Sequence, residues 1–186
     1  MSKNKRDVNK YRLTTFFIFL LLFSITFQIG SMSTVSEEDA KEFLSEFEKL
    51  VLDIDAFGIF THNTTIALPM FIPGFGIVWG LFSAWSTGFA FASIATTAPE
   101  LKEIPPLSIL FFSPFGLMEL TAYSLGISRS FLLIQAIIKK ISVYPQIKPT
   151  IIEIGIMIAL LLAGGYIEFY MIELAQEEGM FGLPEG

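Results

Sequence analysis

Hydrophobic positions run along this chain in long unbroken stretches, and charge is confined to the short segments between them. Leu13 to Ile29 is apolar apart from Thr14, Thr15, Ser24, Thr26 and Gln28. Phe57 to Ala98 carries no Asp, Glu, Lys or Arg, and Ser108 to Ile138 carries only Glu119 and Arg129. Pro149 to about Ile172 contains only Glu153 and Glu168. None of these runs alternates with the two-residue period of a half-buried strand, so each predicts helix, and their length suits a bilayer. The one amphipathic stretch lies between the first two runs. Ser36 with Asp39 three residues on makes a capping-box-like start, and Ala40, Phe43, Leu44, Phe47, Leu50, Val51 and Ile54 follow a helical stripe. Its opposite face holds Glu37, Glu38, Glu42, Glu46, Glu48 and Asp53 against Lys41 and Lys49. A helix that binds anionic lipid is basic, so this one is expected to lie against protein with a solvated acidic face.

Phe57–Ala98 is too long for one crossing: a straight helix would run ~60 Å, about twice the hydrocarbon core. Pro73-Gly74-Phe75-Gly76 and Ser83-Ala84-Trp85-Ser86-Thr87-Gly88 are the two candidate breaks. Charge separates them. A turn near Ser83–Gly88 gives five spans and puts Lys139, Lys140 and Lys148 on the same side as Lys3, Lys5, Arg6, Lys10 and Arg12. A break only at Pro73–Gly76, preceded by a half-helix, gives four spans and sends those lysines across. The positive-inside rule favours the first. The expectation is therefore an all-α, polytopic transmembrane helical bundle of about five spans, N-in and C-out, with one external amphipathic helix. Its segments are a basic cytoplasmic N-terminus (1–12), a first transmembrane helix (13–32), the external acidic helix (33–56), a membrane domain of four further spans (57–172) and an acidic external tail (173–186). Trp85 then suits the inner interface and Trp79 fits a belt position less well. A cleaved signal sequence is the competing reading of the first run, but Ser31-Met32-Ser33 is a poor cleavage site and the run exceeds the usual ~7–15 residues.

Composition supports this class. The 186 residues are 53% hydrophobic and 16% charged with 20 Phe, and mean hydropathy is +0.63, more apolar surface than a soluble domain of this size can hide. Cysteine is absent, which excludes disulfides and thiol chemistry, and a single His62 excludes a multi-histidine metal site within one subunit. No phosphate loop, Ser-His-Asp set or zinc-protease pattern is present, the loops are short, and no basic, aromatic-interleaved nucleic-acid surface occurs. The reading is of a protein that is not an enzyme, with no catalytic residues, no metal and no cofactor.

Three groups of residues stand out. Small residues recur every fourth position at Gly76, Gly80, Ala84 and Gly88, and again at Gly155, Ala159 and Ala163; that spacing lets helices approach closely, within one protein or between copies. Glu119 and Glu168 are carboxylates inside apolar runs, where a charge at the bilayer centre costs about 2.5–3.5 kcal/mol on insertion scales. Glu119 is expected about 15 Å below the outer edge of its span, with Glu168, His62 and Asn63 in the same outer half. These form either a proton- or ion-accepting cluster, a partner contact, or a hydrogen-bonded buttress between helices. Arg129 and Glu153 lie near the inner ends of the last two spans, where they pair or Arg129 snorkels to the headgroups. Asn63-Thr64-Thr65 fits a glycosylation sequon but abuts the membrane.

Pro114-Phe115-Gly116-Leu117-Met118-Glu119-Leu120, followed by Ala122 and Gly126, resembles the Pro-His-Gly-x-x-Glu motif of the stage II sporulation protein M family. His62-Asn63 resembles that family's Asn-Asn pair, Gly74, Gly76 and Gly80 fall where it is glycine-rich, and Gly165-Tyr166-Ile167-Glu168-Phe169 resembles its final-span motif. Phe115 replaces the family's His, so a Glu–His pair within this span is unavailable. The resemblance implies a multi-pass cell-membrane protein surrounded by the lipid bilayer that anchors membrane or cell-envelope protein partners, with a second copy of itself among the candidates. The alternative is a channel or transporter component using the intramembrane carboxylates.

Overall fold

The computed structural model describes residues 3–51, 54–98, 101 and 103–177, and within them every regular element is helical. In chain order these are α1 (Lys3–Ser31), α2 (Glu37–Val51), α3 (Ala56–Ala67) continued by a 3-10 turn (Leu68–Phe71), α4 (Phe75–Thr97), α5 (Pro106–Phe112), α6 (Pro114–Ile138) and α7 (Tyr144–Glu177). Four are long and apolar enough to cross a membrane, over Val8–Ser31, Phe75–Thr97, Pro114–Ile138 and Tyr144–Leu174. The expected acidic tail beyond Glu177 lies outside the described residues, as do the side chains of Phe47, Leu50 and Val51.

The break in the long uncharged run falls at Pro73-Gly74, not at Ser83–Gly88. α4 is continuous through Ser83–Gly88, because Ala84 and Gly88 pack against α1 and give the helix no reason to end. Gly74 takes a left-handed φ of +78°, a conformation open to glycine without steric cost, and reverses the chain. What precedes it is more than a half-helix. α3 with its 3-10 turn covers about 26 Å on the helical rises, and its lower end is buried: Met70 and Phe71 sit in the core, and the carbonyl of Ile72 accepts from Ser130 Oγ at 2.6 Å. Irregular backbone at membrane depth is tolerated only where protein covers it, and here several of the freed groups have partners. Trp79 Nε1 donates to the Ile66 carbonyl at 2.9 Å, close to Pro69, which has no N–H of its own. The amides of Ile72 and Gly76 close onto Pro69 and Ile72 carbonyls.

The two arms of this hairpin leave the two ends of the bundle as charge predicted, although the turn is elsewhere. Tyr11 OH donates to Gln135 Oε1 at 3.0 Å, so the start of α1 sits beside the end of α6. Exposed Lys139, Lys140 and Lys148 share this basic end. At the other end a Cβ on Gly30 would lie 2.2 Å from the Trp85 carbonyl oxygen, so α1 finishes beside the middle of α4. Trp85 therefore lies midway along α4, level with the end of α1, and not at the expected inner interface; with Phe75, Trp79, Phe82 and Phe89 it forms an aromatic ladder along α4, ring centroids 5.4–6.4 Å apart. α2 starts as read, with the Asp39 amide donating to Ser36 Oγ at 3.1 Å. Its apolar side lies on α4, where Ala40 and Ser93 are fully buried and the Phe43 and Phe89 rings meet edge-on.

Two further boundaries move. Ser108–Ile138 is two helices: Ser113 ends α5 and caps α6, accepting from the Gly116 amide at 3.0 Å, with Pro114 in the first turn. Glu119 is thus about 8 Å into α6 on the helical rise. α7 begins at Tyr144 and contains Pro149 rather than opening on it.

The two small-residue stripes have opposite fates. A Cβ on Gly76, Gly80 or Gly88 would lie 2.0–2.3 Å from the Met70 carbonyl, the Ile127 side chain and the Phe27 carbonyl respectively. Gly155 has nothing within 4 Å of such an atom, and Ala159 and Ala163 are exposed. Gly88→Leu is therefore expected to destabilise the protein by about 3 kcal/mol or more through overpacking, and Gly155→Leu to leave it unchanged. Melting followed by size-exclusion in mild detergent compares them; equal melting temperatures would refute this packing.

Candidate functional site

The motif residues converge where α3, α6 and α7 meet. Asn63 Nδ2 donates to Glu119 Oε1 at 2.6 Å, across 56 residues of sequence. The close approach that permits this is set by glycine: Gly165 lies against the backbone of Ala56 and Phe60 in α3, and Gly164 against Met118 in α6. Gly116 does the same for the break between α5 and α6, since a Cβ there would lie 2.3 Å from the Ile109 carbonyl oxygen. In the run Pro114-x-Gly116-x-x-Glu119 the proline starts α6, the glycine admits α5, and the glutamate one turn further faces α3. Glu168, on α7 one turn beyond Gly164, lies within electrostatic range of Glu119 and of buried Tyr123. Among the described residues its buried Oε2 has no hydrogen-bond partner, nor have Thr64 Oγ1 and Ser124 Oγ. His62 does not join. It sits on the exposed side of α3, about 100° around the helix from Asn63.

A second polar centre occupies the basic end. Arg129 is fully buried, and its guanidinium grips Glu153 with both arms, Nε to Oε2 at 2.6 Å and Nη2 to Oε1 at 2.5 Å. Its Nη1 donates to Gln146 Oε1 at 2.9 Å. Arg12 Nη2 donates to the same Oε1 of Glu153. The pairing of Arg129 with Glu153, one of two alternatives the sequence allows, is the one adopted; snorkelling is not. Arg12 and Gln146 were not singled out from the sequence. The signal was there in part: Arg12 is the last cation before the first apolar run, and Glu153 is the acid inside the last run nearest the same end.

The profile of the stage II sporulation protein M family matches residues 13–171. The chain belongs to the stage II sporulation protein M family. No curated protein and no solved structure matches it. The match takes in α1 and α2 as well as the later spans, a longer stretch than the 57–172 on which the motifs lie. Within this member, Phe115 at the family's histidine position is half-buried at the start of α6, and its carbonyl oxygen faces Gly164 at 3.9 Å from where a Cβ would stand. Glu119 therefore has an amide donor on another helix where the motif would offer an imidazole on its own.

The chemistry of the two centres differs. The junction at Glu119 holds hydrogen-bonded and unpartnered oxygens among three helices; the network at Glu153 holds fixed, opposite charges. Glu153→Ala leaves two arginines without their counter-charge, one of them fully buried, and is expected to cost about 3–5 kcal/mol. Glu119→Gln keeps the shape and an oxygen acceptor for Asn63 and is expected to cost under about 1 kcal/mol. Chemical or thermal unfolding in one detergent ranks the two, and the reverse order would contradict this division of roles.

Proposed function

We propose that this family member is a non-catalytic, multi-pass cell-membrane subunit that assembles with other membrane or cell-envelope proteins, its basic end in the cytoplasm and α2 outside. The observation that carries the reading is the uncovered stripe of α7. Gly155, Ala159 and Ala163 stand on an exposed face flanked by Ile151, Ile152 and Leu162, also exposed. The equivalent stripe of α4 is filled by α1, α6 and the hairpin tip within the protomer. In lipid, small residues at this spacing favour helix association because backbones come close. The acidic face of α2, with Glu37, Glu38, Glu42 and Glu46 exposed, offers an extramembrane contact above it. The orientation rests on Lys139, Lys140 and Lys148 lying at the end where α1 begins.

The absence of native cysteine makes single-cysteine tests clean. Ala159→Cys is expected to give an oxidative or bifunctional adduct in native membranes, with a partner or a second copy, whereas Val78→Cys on the exposed side of α4 gives none. A lone monomer, with no adduct at position 159, argues against the reading. In intact cells Thr34→Cys should react with an impermeant maleimide, and Ser142→Cys only after permeabilisation; the opposite pattern inverts the topology.

One observation favours a second reading, a transport component. Among the described residues Glu168 Oε2 on α7 and Thr64 Oγ1 on the α3 arm of the hairpin are buried and unpartnered near the Asn63–Glu119 bond. Intramembrane carboxylates at broken helices commonly mark ion pathways. Proton or cation flux into vesicles holding the purified protein, lost in both Glu119→Gln and Glu168→Gln, would support it; flux absent, or equal in the variants, removes it.

A further inference from the structure

Two guanidinium groups share one carboxylate at the basic end. Arg129 engages both oxygens of Glu153, and Arg12 reaches only Oε1, through a single nitrogen. The trio therefore carries one uncompensated positive charge. An arginine has five N–H donors, and among the described residues Glu153 is the only recorded partner of Arg12. Its side chain is 33% exposed, whereas that of Arg129 is 0% exposed. The excess charge thus resides on the arginine that faces outward.

Arg12 opens on a cleft of about 360 Å³ between the start of α1 and the end of α6, within the size range of small-ligand sites. Gln135, Gln146 and Lys139 line it with Arg12, and among the described residues none that lines it is acidic. The amide of Gln146 is oriented by its neighbour: arginine can only donate, so Arg129 occupies the amide oxygen and the NH2 is left as the free end. Gln135 likewise accepts from Tyr11 through its oxygen. Around the cation, then, stand donors whose acceptor atoms are already taken. The remaining wall is apolar, with Val8, Leu132 and Ile141. On the other side of Arg12 a cleft of about 330 Å³ is lined by Glu153, Asn9, Leu13, Phe16 and Leu125 and, among the described residues, brings no second cation to Arg12.

We propose that the cleft formed by Arg12, Gln135, Lys139 and Gln146 binds the phosphodiester headgroup of an anionic phospholipid, with its glycerol and chains along Val8, Leu132 and Ile141. A lipid rather than a free anion is the occupant because the cationic floor and the apolar wall belong to one cleft, at the end of the spanning helices where headgroups lie. Basic pockets of this kind between transmembrane helices suit acidic headgroups. The site would tie α1 to α6 from outside, supplying the counter-charge that Glu153 alone does not.

The test titrates dioleoylphosphatidylglycerol, dioleoylphosphatidylcholine and inorganic phosphate separately into the full-length protein in neutral detergent. Thermal stability and native mass spectrometry report binding. Phosphatidylglycerol should raise the melting temperature and remain bound, and the other two should not. Lys139→Gln, whose side chain has no hydrogen-bond or ion-pair partner among the described residues, should weaken phosphatidylglycerol binding about fivefold, the ~1 kcal/mol of one basic side chain near an anionic surface. Arg12→Gln should weaken it further; where that variant does not fold, Lys139→Gln still decides. Lys148→Gln, at the same end but outside the cleft, should bind as wild type. Equal binding of phosphatidylcholine, an equal effect of inorganic phosphate, or equal losses in Lys139→Gln and Lys148→Gln each overturns the proposal, the last in favour of diffuse surface attraction.

Discussion

A single carboxylate shared by two arginines determines how the long helices of this protein stand together. Glu153 on α7 is gripped bidentately by Arg129 of α6 and capped by Arg12 of α1. A buried guanidinium in an apolar bundle is costly without a matched acceptor, and breaking such a pair leaves a charge that the surroundings cannot solvate. Rotating α6 or sliding α7 by one turn would separate Arg129 from Glu153, so the network sets the register of both helices and the depth of α1 against them. Gln146 extends the same constraint to the first turn of α7, which explains why that helix starts before Pro149. Once these helices are in register at the basic end, the positions of Glu119 and Glu168 on them follow.

The hairpin of α3, the 3-10 turn and α4 then fills the space beside α6. Its tip is anchored by Ser130 and its two arms are stitched by Trp79, whose indole donates to the Ile66 carbonyl. Glycine governs how near each arm approaches: Gly76 and Gly80 on the inner face of α4, Gly126 of α6 beneath Met70 and Phe71, and Gly165 of α7 against the start of α3. With those distances set, Asn63 is brought within hydrogen-bonding reach of Glu119. The family motif is legible in these terms as a helix start, a gap for a neighbouring helix and a carboxyl aimed across it, and Phe115 alters none of the three.

Much of this was readable before any coordinates. The helical class, the acidic helix seated by an apolar stripe, the segregation of lysines to one end and the prominence of Glu119 follow from period, run length and charge. The turn in the uncharged run was misplaced because both candidate sites contain small and polar residues. A sequence pattern does not say whether Gly88 ends a helix or lets another one touch it. The lysines still lie at the end where α1 begins because the arm before Pro73 is longer than a half-helix: the 3-10 turn carries it on to Ile72. His62 and Asn63 read as a pair, yet adjacent positions on a helix point about 100° apart, and only Asn63 meets a partner.

What the sequence determined by itself is the solvent of each segment, since long apolar runs, a one-sided amphipathic stretch and clustered cations are local properties that a bilayer sorts without reference to fold. The partners of the polar residues inside those runs were decided by tertiary structure alone. Two stripes with the same spacing became an internal seam in α4 and an open face in α7, and of several intramembrane charges Glu153 was neutralised by arginine while Glu168 kept an unpartnered oxygen. The physical reason is distance. Hydrogen bonds and ion pairs act over a few ångströms between helices far apart in sequence, and those separations exist only once the helices are packed.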